Sequence, residues 1–414
     1  MVKSTGRWFR LALINLLIAA VIGVFLRLAF IVELPWLNFR YALHGHSHIA
    51  MLGWGYMALF ALLVHNFIDD YAQRSKVYHR LFWATELAVV GMMISFPLKG
   101  YHLVSVAFST LHVILSYVFI VRFWRDSKRS KGQGRMSLQF ARTALLFLIL
   151  SSVALWLMGP LIALEQQGTA WYFATIQFFL HFQFNGWFVF AVLAIFFRWL
   201  EKREIAVDAH DLNRFYLLLV LSCILTYVLA VTWSTPLDIL FWINSLGVVI
   251  QLGALILFFK LIRPVVGAMR MGTTRMLRTL FGVGLMCFVV KIFVQTAVVV
   301  PHIATIAYTI RSYVIGFIHL ILLGLLTHML IGFAHSMGIL RLERKSAVIG
   351  VLLLVTGFLL TEGLLVIQGT LFWIGIGFIP YYYELLFAAS CLLPVSILLL
   401  LGSRPHLSLF GHSD

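Results

Sequence analysis

The chain has little charge and few cysteines, and each shortage excludes a class of protein. Only 11% of its 414 residues are charged and 62% are hydrophobic, whereas soluble domains carry about 25% charged residues. The three cysteines, Cys223, Cys287 and Cys391, lie far apart within apolar runs, which argues against a disulfide framework or a thiolate cluster. The sequence therefore predicts an all-α, polytopic membrane protein.

The sequence also lacks a Gly-rich phosphate loop, a CxxCH haem-attachment motif and any long extramembrane stretch. These absences leave no room for a soluble domain with its own chemistry. We therefore expect residues 1–414 to form a single integral membrane domain, in which any functional site lies between helices.

Twelve apolar runs are each long enough to cross a bilayer core about 30 Å thick. We predict spans near residues 11–34, 41–66, 81–98, 102–124, 140–164, 171–198, 214–233, 238–260, 279–300, 310–337, 346–368 and 381–402. With the N-terminus inside, 26 of the 31 lysines and arginines fall in cytoplasmic segments, as the positive-inside rule requires. The net charge of +16 is therefore explained by the basic cytoplasmic segments of a membrane protein. We expect a lipid bilayer as partner and not a nucleic acid. We expect a multi-pass protein of the cytoplasmic (inner) membrane with both termini cytoplasmic.

The second span opens with three histidines, His44, His46 and His48. Imidazole is costly in hydrocarbon and is the commonest metal ligand in proteins. His44 and His48 share one helix face, whereas His46 points about 200° around from His44. At most two of the three rings can therefore face the same pocket.

Further histidines are expected at a similar depth, on spans that also enter the membrane from the outer face. They are His112 on helix 4, His181 on helix 6 and His319 on helix 10, each roughly 8–15 Å below the outer surface at about 1.5 Å per residue. Clustering at one depth is what a shared prosthetic group requires, and interhelical hydrogen bonding is the alternative for each ring. His328 lies deeper and on the opposite face from His319, where it could serve a second group or bond a neighbouring helix.

Charged residues at intramembrane and outer positions are few. Lys291 and Glu362 are candidates for a proton or charge relay, with Lys291 either a proton carrier or the counter-charge of Glu362. Arg27, Arg40 and Arg311 are the only arginines on the predicted outer side. Their planar guanidinium groups could clamp the propionates of a haem, and interfacial snorkelling is the alternative.

The segment His46-Ser-His48-Ile-Ala-Met-Leu-Gly53-Trp54 follows the pattern HxHxxxLGW. It resembles the haem-ligating helices of the core subunit (subunit I) in the haem-copper oxidase and nitric oxide reductase superfamily, with the cbb-type oxidases closest. Twelve helices with histidines on helices 2, 6 and 10 are similar to the same subunit. The resemblance implies three arcs of four helices and one or two b-type haems. It also implies an axial pair made of His46 or His48 with His319.

The resemblance places His181 where the family has its first copper ligand, but it does not extend to a complete copper site. Residues 214–233 contain no histidine, although the family has an adjacent histidine pair on helix 7. Asn185 stands where an oxidase offers its redox tyrosine. His181, His112 and His328 are therefore candidates for a second metal or haem, and a copper centre with three imidazoles is not expected.

We hypothesise a membrane b-type haem protein, an oxidoreductase if it is an enzyme, that handles electrons and O2 or NO in the outer leaflet. Its electron donor would be a cytochrome or a quinol. A weaker resemblance to the NnrS family of haem- and copper-binding nitric oxide response proteins rests on the early histidine-rich helix and on His335-Ser-Met-Gly338. Two alternatives remain, a cofactor-free proton-coupled transporter and an assembly subunit that has lost its chemistry.

Overall fold

A computed structural model describes residues 2–69, 76–129, 134–232 and 237–402. Within these residues there are helices and no strands, and twelve helices are long and apolar enough to cross a membrane, which confirms the predicted fold class. They are α1 Ser4–Leu28, α2 Phe39–Phe67, α3 Lys76–Lys99, α4 Leu103–Lys128, α5 Arg135–Ala163, α6 Ala170–Lys202, α7 Ala209–Val228, α8 Asp238–Met269, α9 Arg275–Ala297, α10 Arg311–Ser336, α11 Lys345–Trp373 and α12 Tyr382–Leu401. The predicted cytoplasmic tail with Arg404 lies outside the described residues.

The first span lies nearer the N-terminus than the prediction of 11–34, which was wrong at both ends. Helix α1 ends at Leu28 because the following residues form turns that lead to Pro35, and a proline disfavours helical geometry in the residue before it. The side chain of Asn38 then caps α2 by accepting a hydrogen bond of 3.1 Å from the backbone N–H of Tyr41. Asn38 is thus a residue whose short polar side chain begins the next helix.

Three helices form the centre of the molecule. In α2, α6 and α10, 78%, 83% and 61% of the most apolar stretch is buried, against 28–44% in the other nine. Helix α2 packs between α1 and α3, α6 between α5 and α7, and α10 between α9 and α11. The other helices form a ring around this centre. In that ring α3 contacts α4, α4 contacts α5, α7 contacts α8, α8 contacts α9, α11 contacts α12, and α12 contacts α1. In chain order the twelve helices form three arcs of four, α1–α4, α5–α8 and α9–α12, and the second helix of each arc is a central helix.

Each central helix contains a π-helical segment that begins immediately after a histidine. The segments are Ile49–Tyr56 after His48, Phe182–Phe188 after His181, and Leu320–Thr327 after His319. Five residues after each histidine comes a glycine, at positions 53, 186 and 324. Such wide turns shift the phase of a helix and often occur at functional sites. The shared pattern HxxxxG is an internal repeat, one copy for each arc.

The repeated glycines allow neighbouring helices to pack closely against the central helices. A substitution at Gly324 tests this close packing. A Cβ at Gly324 would lie 2.6 Å from the Sγ of Cys287 on α9 and 2.6 Å from Cζ of Phe358 on α11. We expect Gly324→Ala to lower the free energy of unfolding by about 1–3 kcal/mol, the usual cost of overpacking. Gly363→Ala on α11 meets nothing within 4 Å and should stabilise the helix by up to about 1 kcal/mol. Equal effects of the two variants, measured by denaturant unfolding in detergent, would contradict this account.

Candidate functional site

A cavity of about 400 Å³ lies among α1, α2, α10, α11 and α12, with a small contribution from α6. It begins near the predicted outer ends of α1 and α10, at Arg27 and Arg311, and reaches Trp54 and Thr327 in the middle of the molecule. Its volume lies within the range of about 300–1,000 Å³ that is typical of ligand and cofactor sites. The walls are mostly aliphatic and aromatic, and three imidazoles line the cavity, those of His44, His46 and His319.

His46 lies on the wall that α2 shares with α1. Its Nδ1 lies 2.8 Å from the carbonyl oxygen of Ala19, and a carbonyl oxygen can only accept, so Nδ1 carries the proton and donates. Nε2 then keeps its lone pair, has no hydrogen-bond partner in the described part of the chain, and belongs to a ring that lines the cavity. Gly23 makes room for this ring, because a Cβ there would lie 3.0 Å from Cε1 of His46. A backbone carbonyl that fixes the tautomer in this way is typical of metal-ligating histidines.

His319 lines the same cavity from α10. Its Nδ1 lies 3.5 Å from Oε1 of Glu362 on α11, although the pair does not meet hydrogen-bond geometry and neither atom has another hydrogen-bond partner in the described residues. His46 and His319 thus line one cavity from α2 and α10.

Two of the three predicted propionate-binding arginines border the cavity. Arg27, in the last turn of α1, and Arg311, at the start of α10, lie at its predicted outer end. Arg27 is close enough to Glu362 for their opposite charges to attract. Arg40 does not line the cavity and is exposed at the start of α2.

The floor of the cavity is a direct link between the two central helices that carry these histidines. Trp54 donates a hydrogen bond of 2.9 Å from Nε1 to the hydroxyl of Thr327. Thr327 in turn donates to the carbonyl of Leu322, which lies in the π-helical segment of α10. Trp54 is the last residue of the HxHxxxLGW pattern, so this part of the motif has a structural role that sequence analysis did not assign.

His48 faces away from the cavity, toward α3. Its ring stacks on Phe96 with a centroid separation of 4.1 Å, and its Nδ1 contacts the carbonyl of His44 at 2.9 Å. His112 on α4 packs against the ring of Tyr56 at 4.6 Å.

Neither His48 nor His112 lines the cavity, whereas His44 and His46 both do. The His44 ring packs edge-on against Tyr101 with a centroid separation of 4.7 Å. His46 is the ring whose Nδ1 donates to a backbone carbonyl of another helix, and its position therefore suits ligation better.

His181 is held in a chain of buried polar side chains between α6, α7, α8 and α9. Its Nε2 donates to the carbonyl of Cys223 at 2.8 Å, and its Nδ1 accepts from Asn185 at 3.2 Å. The chain continues from Gln295 to Asn185 at 3.3 Å and from Lys291 to Gln295 at 2.6 Å. Both ring nitrogens of His181 are thus occupied, and neither is free to bind a metal. Lys291 contacts Gln295 and is not paired with Glu362.

His328 also lies outside the cavity. Its Nδ1 donates to the carbonyls of Leu323 and Gly324 at 2.7 and 3.0 Å, within the π-helical segment of α10. The ring therefore satisfies carbonyl oxygens that the wide turn leaves without regular partners. Across the ranges that the structure describes, no group of three or more histidines, cysteines or acids is arranged to hold a metal ion.

Sequence reasoning missed the partners of these histidines. Ala19 and Gly23 are small residues on an apolar helix, and no sequence pattern marks them as neighbours of His46. Asn185 and Gln295 could have been noticed, because uncharged polar side chains inside apolar spans usually bond across helices. Lys291 and Gln295 are also four residues apart, the spacing of one helix face.

Comparison with protein-family models and with curated proteins finds no match for this chain.

Proposed function

We propose that this chain is a b-type haem redox protein of the membrane, similar to the core subunit of the oxidase superfamily, with His46 and His319 as the axial pair. One observation carries the proposal: two imidazoles from different helices line one largely apolar cavity, and the tautomer of His46 leaves its Nε2 unprotonated. The size of the cavity, the space made by Gly23 and the arginines at its outer end all fit a haem. A haem would supply one-electron chemistry there, with its potential set by axial ligation and burial.

Other residues of the chain would bind the haem propionates and enclose the cavity. Arg27 and Arg311 would bind the propionate carboxylates at the predicted outer end, where a bidentate guanidinium contact is favoured. The Trp54–Thr327 hydrogen bond closes the opposite end. The aliphatic walls exclude water and keep the site in a low-dielectric environment, in which electrostatic interactions are stronger.

Electron transfer fits the geometry better than chemistry on a diatomic gas. Two histidines would occupy both axial positions, and His181, the candidate for a second centre, has both ring nitrogens hydrogen-bonded. A cytochrome or a quinol is the class of electron donor that we propose. The membrane involved would be the cytoplasmic membrane, with the cavity toward the outer side, in agreement with the charge distribution of the sequence.

A pyridine haemochrome spectrum of detergent-purified protein, together with metal analysis, tests the proposal. We expect one haem b per chain and sharp absorption bands in the reduced state. Protein that stays colourless when it is produced with an ample haem supply would refute the proposed function. Copper in a stoichiometric amount would favour the NnrS-like alternative.

A further inference from the structure

Glu362 is an acidic side chain in the middle of α11, next to the cavity. Its Oε1 lies 3.5 Å from Nδ1 of His319. Its Oε2 faces Gly316 on α10, and a Cβ atom added to Gly316 would lie 3.4 Å from Oε2. Only 14% of the Glu362 side chain and 22% of the His319 side chain are exposed. The carboxyl group therefore lies behind the ring, on the side of Nδ1.

The carboxyl oxygen of Glu362 and the ring nitrogen of His319 that face each other both lack a hydrogen bond within the described residues. These atoms, Oε1 of Glu362 and Nδ1 of His319, are both buried. Buried polar atoms in folded proteins nearly always have a partner. A shortening of this 3.5 Å separation would let Nδ1–H donate to the carboxylate. This would leave Nε2 of His319 unprotonated, as in His46.

Two guanidinium groups lie at the predicted outer end of the same cavity. Arg27 on α1 and Arg311 on α10 both line it. Burial disfavours the charged form of Glu362, and Arg27 favours it. A carboxylate at this place would therefore have a cation nearby, as a buried charge requires.

We propose that Glu362 is a positioning residue that sets the orientation and the electron-donating strength of the His319 ring. This inference rests on the proposed function. A carboxylate that accepts the Nδ1–H of a ligand histidine makes the other nitrogen a stronger donor. A stronger donor stabilises the oxidised form of a bound metal centre, and Glu362 therefore lowers the reduction potential of the site.

The test is the midpoint potential of the purified haem protein at one fixed pH, with Glu362→Gln as the main variant. The carboxamide keeps the shape and loses the negative charge. A tenfold change in the reduction equilibrium corresponds to about 59 mV for one electron. We expect Glu362→Gln to weaken binding of the oxidised form about tenfold more than binding of the reduced form, and so to raise the potential by about 59 mV. Glu362→Asp, which keeps the charge on a shorter side chain, should raise the potential less than Glu362→Gln.

Glu86→Gln is the matched control. Glu86 is a second buried acid, on α3, which accepts from Asn15 at 3.1 Å and does not line the cavity. Its replacement should leave the potential unchanged. Haem with an unaltered potential in Glu362→Gln would overturn this inference and leave the proposed function intact. Native protein without haem would overturn both.

Discussion

Under the proposed function, His319→Ala is expected to lower haem affinity by more than about 100-fold, because it removes one of the two imidazoles that would hold the haem, and loss of an outer-shell partner alone costs about 10–100-fold. The ring lines the cavity from α10 and has no substitute there, since His328 bonds carbonyls of its own helix. His46→Ala should have the same consequence from the side of α2. The measurement is haem content and the reduced-minus-oxidised spectrum of each purified variant.

His48→Ala provides the control for this experiment. His48 is two residues from His46 and also inside the membrane span, but its ring stacks on Phe96 away from the cavity. The variant should keep its haem and its spectrum. If His48→Ala lost haem while His46→Ala retained it, the assignment of the axial residue on α2 would be reversed.

Gln295→Leu is expected to lower the free energy of unfolding by about 1–3 kcal/mol, the usual cost of leaving a buried donor without a hydrogen-bond partner. Gln295 accepts from Lys291 at 2.6 Å and from Gln251 at 3.0 Å, and it donates to Asn185. Lys291 is only 2% exposed. Without Gln295, its amine would have no hydrogen-bond partner inside the protein.

The double variant Lys291→Met, Gln295→Leu separates this explanation from simple loss of packing. The double variant leaves no buried amine unsatisfied, although Gln251 and Asn185 still lose the hydrogen bonds that they make with Gln295. We expect it to regain, in denaturant or thermal unfolding, the part of the lost stability that is due to Lys291. A double variant as unstable as Gln295→Leu would show that the Lys291 amine is not the cause of the loss.

The sequence predicted the number of spans because each must bury about twenty residues in hydrocarbon, and that constraint is independent of how the helices pack. It predicted α1 less well, because the apolar run continues past Leu28 into the segment before Pro35. Hydropathy does not distinguish an apolar turn from an apolar helix. The sequence therefore did not predict the turn before Asn38, which the structure shows.

The sequence indicated which helices carry the candidate histidines but not which way their rings point. It predicted one layer of His46, His48, His112, His181 and His319, and in the structure a π-helical segment follows His48, His181 and His319. Which way each ring points depends on the rotation of its helix, and the wide turns change that rotation by an amount that a regular helical wheel cannot give. His181 therefore meets Cys223 and Asn185, while Leu180 and Phe184 on the next face of α6 line the cavity.

The close packing of the three central helices beyond the Trp54–Thr327 bond has an electrical consequence. Residues 57–63 of α2 are 0% exposed, and α6 and α10 contact this half of the helix directly. A dry, tightly packed half of this kind carries a large share of any transmembrane voltage. Moving an elementary charge through 100 mV is worth about 2.3 kcal/mol, so a charge that crossed this half of the molecule would pass through a large share of the voltage.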